Sequence, residues 1–208
     1  MTPDEIYAES FRIIETEAAG HRFDAIEWPI VRRMIHASGD LEILRSVVFA
    51  HDAASLGIAA LRAKVPIVAD VSMVAAGIDK PRAKDLGVEI HCFIDDPGVR
   101  ELAIRKDKTR SACAIEKAIA EIGNAVYVVG NAPTALFTLC DAVLQGIVRP
   151  PLILAMPVGF VSVVESKERA LGLPNVPIIA VRGRKGGSAV AAASVNALLR
   201  AALEERDR

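Results

Sequence analysis

Cysteine is scarce: the 208 residues hold three, Cys92, Cys113 and Cys140, odd in number and far apart. That spacing builds neither a disulfide framework nor the close pairs of a zinc site, so the three read as reduced thiols of a core. An excess of charge is also missing. The net charge is -1 and the pI is near 6.4, which leaves no basic footprint for nucleic acid and no polybasic patch for a membrane surface. No apolar run approaches the roughly 20 residues of a membrane span. The opening Met1-Thr2-Pro3-Asp4-Glu5 is acidic, unlike the basic start of a secretory signal. A soluble cytoplasmic protein is expected, with neither nucleic acid nor membrane as partner.

Several chemistries lack their signatures. No Gly-x4-Gly-Lys-Ser/Thr loop occurs, and no Gly-x-Gly-x-x-Gly follows a strand with an acid roughly 20 residues on. A Gly-x-Ser-x-Gly elbow is absent too. His21, His51 and His91 have no partner four residues away and no cysteine pair, so they do not make a transition-metal site. Nucleotide binding, nucleophilic hydrolysis and metal catalysis are therefore unsupported.

What is present is a core. With 52% apolar and 25% charged residues, the chain can bury one sizeable interior, and a single domain over 1–208 is expected. Thr2, Pro3 and Glu5 form a capping box that starts a helix ending near Gly20, with Ile6, Ser10, Ile13 and Glu17 on one face. Ser10 is then either buried or a polar group aimed into a ligand cavity. Asp24 to Glu27 repeats the start signal for a second helix, and a third is expected from about Asp52 to Lys64.

From residue 65 short β-branched runs alternate with helical patterns. The runs are Val65 to Met73, Val88 to Ile94, Ala125 to Val129, Pro151 to Met156 and Val176 to Val181. Their continuous apolar character marks strands covered on both faces. Helices are expected at about Pro81 to Leu86, Asp96 to Ile122 in two pieces, Pro133 to Gly146, Phe160 to Leu171 and Ser188 to Glu205. This order predicts an α/β, doubly wound, mainly parallel five-stranded sheet behind an N-terminal helical segment.

In such a sheet ligands bind beyond the carboxyl ends of the strands. The turns there are Asp70 to Met73, Gly130 to Thr134, Met156 to Phe160 and Arg182 to Ser188. The last gathers Gly183, Arg184, Lys185, Gly186, Gly187 and Ser188, whose free N–H groups and cations at a helix start suit an anion. Arg110, beginning a helix capped by Thr109, is either a surface charge or a second carboxylate clamp. His36 ends the second helix beside Arg32 and Arg33, next to Gly39. The helix terminus favours its protonated ring and the arginines disfavour it, so the two effects oppose. The residue is either a cap for helix carbonyls or a proton donor for catalysis.

These stretches, seven in order along nearly the whole chain, resemble the precorrin-8X (cobalt-precorrin-8) methylmutases of corrin biosynthesis. They are Ser10 to Ile14, Arg32 to Asp40, Asp70 to Ile78, Thr109 to Ala112, Gly130 to Leu136, Pro157 to Val161 and Gly183 to Ser188. The resemblance implies a flavodoxin-like fold, a homodimer, no cofactor, and a 1,5-sigmatropic methyl shift from carbon 11 to carbon 12 that gives hydrogenobyrinic acid or its cobalt counterpart. It also implies a tetrapyrrole substrate and a catalytic role for His36 as proton donor. The substrate-binding set expected with it is Ser10, Arg12, Ser72, Arg110, Asn131, Thr134, Gly183, Arg184, Lys185, Gly186, Gly187 and Ser188, since arginine suits bidentate carboxylate binding. Two rival readings remain: a non-catalytic corrinoid carrier, and an enzyme acting on phosphorylated metabolites at the Gly183 to Ser188 turn.

Overall fold

The computed structural model describes residues 1–204. The first helix, α1 (Pro3–Glu17), starts as its capping box requires: Thr2 Oγ1 accepts from the Glu5 N–H, and the Glu5 carboxylate accepts from the Thr2 N–H. The second, α2 (Glu27–Ser38), is preceded by Asp24, whose carboxylate accepts from the Ile26 and Glu27 N–H groups. It ends on Gly39 in the left-handed region at φ 64°.

After a single turn, α3 (Ile43–Ser46), come β1 (Val47–Ala50), α4 (Ala53–Arg62), β2 (Ile67–Ala69), α5 (Ser72–Gly77), α6 (Lys80–Leu86), β3 (Ile90–His91), α7 (Pro97–Lys106) and α8 (Arg110–Glu121). The chain continues through β4 (Val126–Val129), α9 (Pro133–Leu144), β5 (Leu152–Ala155), α10 (Val163–Leu171), β6 (Ile178–Val181) and α11 (Ser188–Glu204). The last helix was expected to reach Glu205, which lies outside the described residues.

The strands form one sheet in the order β1-β6-β5-β4-β2-β3. All neighbours are parallel except β1 and β6. Numbered among themselves, the five parallel strands follow the order 2-1-3-4-5 of flavodoxin-like sheets. Alternate residues serve opposite layers, as the strand period requires. Val126, Val128, Leu152, Leu154, Ile179 and Val181 join the core under α2, α4 and α11. Tyr127, Val129, Ile153, Ala155, Ile178 and Ala180 join that under α8, α9 and α10.

Two expectations need correction. The sheet has six strands, not five, because Val47–Ala50 pairs antiparallel with β6, Val47 opposite Val181. Four residues behind one helical turn are too few to display a period. The run Val65 to Met73 is strand only over Ile67–Ala69, and its end belongs to α5, which Ser72 opens.

Candidate functional site

On α2, Ile30, Val31, Met34 and Ile35 are buried against the core, which turns Arg32, Arg33 and His36 toward α1. The α1 face that meets them carries Tyr7, Phe11 and Ile14, so the Ile6, Ser10, Ile13 stripe lies to the side with both isoleucines exposed. The His36 ring meets Tyr7 and Phe11 edge-on, with centroids 5.3 Å from each. Arg32 lies 4.3 Å over the Phe11 ring and pairs with Glu15. Arg33 lies 5.5 Å over the Tyr7 ring and donates from Nη1 to the Tyr7 hydroxyl. The half-buried imidazole has no hydrogen-bond partner among the described residues. Its proton affinity falls below the ordinary value, chiefly through burial and secondarily through the Arg33 charge. Burial thus joins the Arg33 charge in opposing the helix terminus.

The sheet changes direction of winding between β2 and β4, and the crevice there is filled from within. Asp70, fully buried at the end of β2, accepts from the N–H groups of Gly130 (3.0 Å), Asn131 (2.9 Å) and Ala132 (2.9 Å). Burial raises the Asp70 pKa, and the three donors oppose that rise. An α9 N-terminus that could have received an external anion thus holds the protein's own carboxylate. Close approach is possible because Gly130 has no side chain: a Cβ there would stand 2.6 Å from Val74 Cγ2.

Candidate side chains ring this plugged crevice. Ser72 is exposed and bonds Asp95, Asn131 is exposed, and the Thr134 and Thr109 hydroxyls share a hydrogen bond of 2.7 Å. That bond brings the start of α8, with exposed Arg110, to the start of α9. Arg110 forms no ion pair among the described residues.

The turn between β6 and α11 closes the ring. Gly186, at φ 145°, lies so near β5 that a Cβ would stand 2.4 Å from the Met156 carbonyl oxygen. The next N–H, that of Gly187, donates to the same oxygen at 2.8 Å. Beneath the turn the fully buried Lys167 of α10 donates from Nζ to the carbonyls of Gly183 (2.9 Å) and Lys185 (2.6 Å). Burial pulls its pKa down to about 8. Above it, Lys185 Nζ bonds Asp40 at 2.6 Å and also Glu42. Asp40 lies just past the end of α2, whose last turn carries His36, so this pair ties that end of the helix to the glycine-rich turn. Arg184 stacks 5.3 Å over the exposed Phe160 ring.

The expected residues therefore divide. The end of α2 that carries His36 is tied to residues 183–188 through Asp40 and Lys185, and Ser72, Arg110, Asn131 and Thr134 lie around the crevice. Ser10 bonds back to the Ile6 carbonyl of its own helix, and Arg12 is paired with Glu9 and largely in solvent. Sequence reasoning missed Lys167, which sits among the charges of Glu165, Lys167, Glu168 and Arg169 and looks like surface. It also missed an apolar rim of Met73, Phe160 and Val161, exposed by 73%, 82% and 82% at the strand ends. Their signal was available, as apolar residues inside strand-end turns. Among the described residues, no group of three or more His, Cys, Asp or Glu is arranged to hold a metal ion.

Comparison with known proteins covers this whole arrangement. The precorrin-8X methylmutase family matches residues 5–201. A cobalt-precorrin-8 methylmutase of Priestia megaterium is 43% identical over 198 residues, covering 95% of this chain and 88% of its own. A precorrin-8X methylmutase of Sinorhizobium is 43% identical over 199 residues, covering 95% and 94%. The solved structure of the precorrin-8x methyl mutase of Thermus thermophilus superposes with a TM-score of 0.87 at 40% identity, over 96% of this chain and 98% of that one. The chain belongs to the precorrin-8X methylmutase family.

Proposed function

We propose that this chain is the precorrin-8X methylmutase of cobalamin biosynthesis, moving a methyl group from carbon 11 to carbon 12 of a tetrapyrrole, with His36 as proton donor. The bond from carbon 11 breaks as the bond to carbon 12 forms. A proton lent to the ring system by His36 is returned afterwards, so substrate and product are isomers. The observation that carries the reading is the imidazole itself, half-buried and without a hydrogen-bond partner at the end of the fold where the strand-end turns converge. A methyl shift asks the protein for position and charge, not for a nucleophile.

The rim supplies both in the form this substrate class requires. A conjugated macrocycle fringed with acetates and propionates is apolar on its faces and anionic at its edge. Met73, Phe160 and Val161 offer apolar surface, while Arg110 and Arg184 offer forked donors for carboxylates. Ser72, Asn131, Thr134 and the N–H groups of residues 183–188 complete the set. Lys185 contributes by bracing the turn against Asp40 and Glu42, and Arg12 joins only by leaving Glu9. The exposed apolar rim also supports a homodimer closing over the site. We place the single domain 1–208 in the cytoplasm, with no nucleic-acid partner; no helix among the described residues is long and apolar enough to cross a membrane.

Incubation of the purified protein with the methylated precursor tests the assignment. The expected outcome is conversion of its absorption spectrum to that of the rearranged isomer. Binding without any spectral change would favour a corrinoid carrier instead.

The pH profile gives a second expected result. Imidazolium is lost as pH rises through the His36 pKa, which in the free protein lies below 6.5. The value of kcat/KM, which reports free enzyme, is therefore expected to fall from a lower pH than kcat, because the carboxylates of the bound substrate bring negative charge toward the imidazole and raise its pKa in the complex. Coincident midpoints would refute that coupling.

A further inference from the structure

A cavity of about 330 Å³ lies between α1, α2, α6 and α11. Tyr7 and Phe11 belong to its wall and also touch the ring of His36, which does not line it. Among the described residues, four arginines line the cavity, Arg32, Arg33, Arg82 and Arg200, against one carboxylate, Glu204. Arg32 is held by Glu15, Arg82 by Asp79 and Arg200 by Glu204. Arg33 has no carboxylate partner among the described residues, and its Nη1 donates to the Tyr7 hydroxyl. The Nε of Arg32 is buried with no acceptor among the described residues. The Arg200–Glu204 pair is formed within α11 and is solvent-exposed, so it is weak and easily exchanged, whereas Asp79, which holds Arg82, also caps α6. Asn196, by contrast, is fully engaged, accepting from the Asp79 N–H and donating to the Gly77 carbonyl.

Several cations turned toward one partly enclosed space repel one another unless an anion shares it. Guanidinium forks meet carboxylates in a bidentate fashion, and the remaining wall, with Ile30, Ile58 and Ala197, suits a short carbon skeleton. We propose that this arginine-lined cavity is a carboxylate-binding site, separate from the rim at the strand ends. Its volume stands at the low end for small-molecule pockets, which fits a small polycarboxylate or one carboxylate-bearing arm of a larger molecule, but not a whole macrocycle. An occupant bound to Arg33 stands one aromatic ring away from His36. The site does not depend on the reaction assigned above, and its test involves no turnover.

The test is a titration of the purified protein with citrate, followed through the ring resonances of Tyr7 and His36 by NMR, His36 being assigned by its loss in His36→Ala. Saturable shifts in both rings are expected, with citrate affinity reduced about 10- to 100-fold in Arg33→Gln and Arg200→Gln. Arg200 is largely in solvent, so that variant is expected to keep the wild-type fold, which thermal unfolding checks. Absence of a saturable shift, or unchanged affinity in both variants, overturns the site; a parallel sulfate series of equal strength overturns its preference for carboxylate. Repeating the titration with the tetrapyrrole bound identifies the source of the carboxylate. Competition assigns the cavity to an arm of the macrocycle, and simultaneous binding assigns it to a free polycarboxylate.

Discussion

His36→Ala is expected to lower turnover about 100- to 10,000-fold, the range that a positioned proton donor supplies, while tetrapyrrole binding survives. The separation follows from how the residue is held. Its imidazole has no hydrogen bond to lose among the described residues, and its contacts are the edge-on meetings with Tyr7 and Phe11. Removing those costs about 1 kcal/mol of packing, too little to unfold a domain of ordinary stability. The carboxylate-holding groups at the strand ends belong to other elements and stay in place. Single-turnover kinetics, a binding titration and thermal unfolding on the same preparation check all three parts. Wild-type turnover in the variant would remove His36 from the mechanism, and a loss of binding in step with turnover would recast it as a positioning residue.

The largest effect on stability is expected at Asp70. Replacement by alanine leaves the N–H groups of Gly130, Asn131 and Ala132 without their acceptor, two of those residues being buried. At about 1–3 kcal/mol for each orphaned donor, with water admitted to the small cavity recovering part, the loss comes to about 3–6 kcal/mol. Asp70→Asn keeps the shape but turns an amide NH2 toward N–H donors, and it is expected to be destabilised as well, by less. Denaturant unfolding measures both, and an alanine variant within about 1 kcal/mol of wild type would show that the N–H groups find other partners. The consequence for function is spatial. With Asp70 in place, the N–H groups of Gly130, Asn131 and Ala132 are taken, and the rim of the sheet is the surface left open at this crevice.

Much of this arrangement is legible in the sequence because it depends on local signals. The capping box at Thr2 and Glu5, the Gly39 stop, the continuous apolar runs of β4, β5 and β6, and the proline starts of α7 and α9 each carry their own mark. The same holds for the glycines of residues 183–187, whose positive φ values Gly tolerates best. Apart from the apolar rim of Met73, Phe160 and Val161, what escaped has no local mark. Strand β1 owes its conformation to pairing with β6, more than 100 residues away. Asp70 binds main-chain N–H groups, which every residue but proline possesses, so no partner stands out in the sequence. Lys167 is written in the same charged stretch as its exposed neighbours, and only the turn of α10 decides which of them faces inward. The direction of the His36 shift was open because the sequence shows Arg33 and the helix end but not the burial that lowers the pKa most.

Lys167 has one more effect, carried through the peptide units above it. Because C=O and N–H point in opposite directions across a trans peptide, and the described chain contains no cis bond, drawing the Gly183 and Lys185 carbonyls down to the ammonium turns the N–H groups of Arg184 and Gly186 the other way. A buried positive charge thus aligns two peptide dipoles with their positive ends outward. The turn is polarised from behind, by a residue buried beneath it.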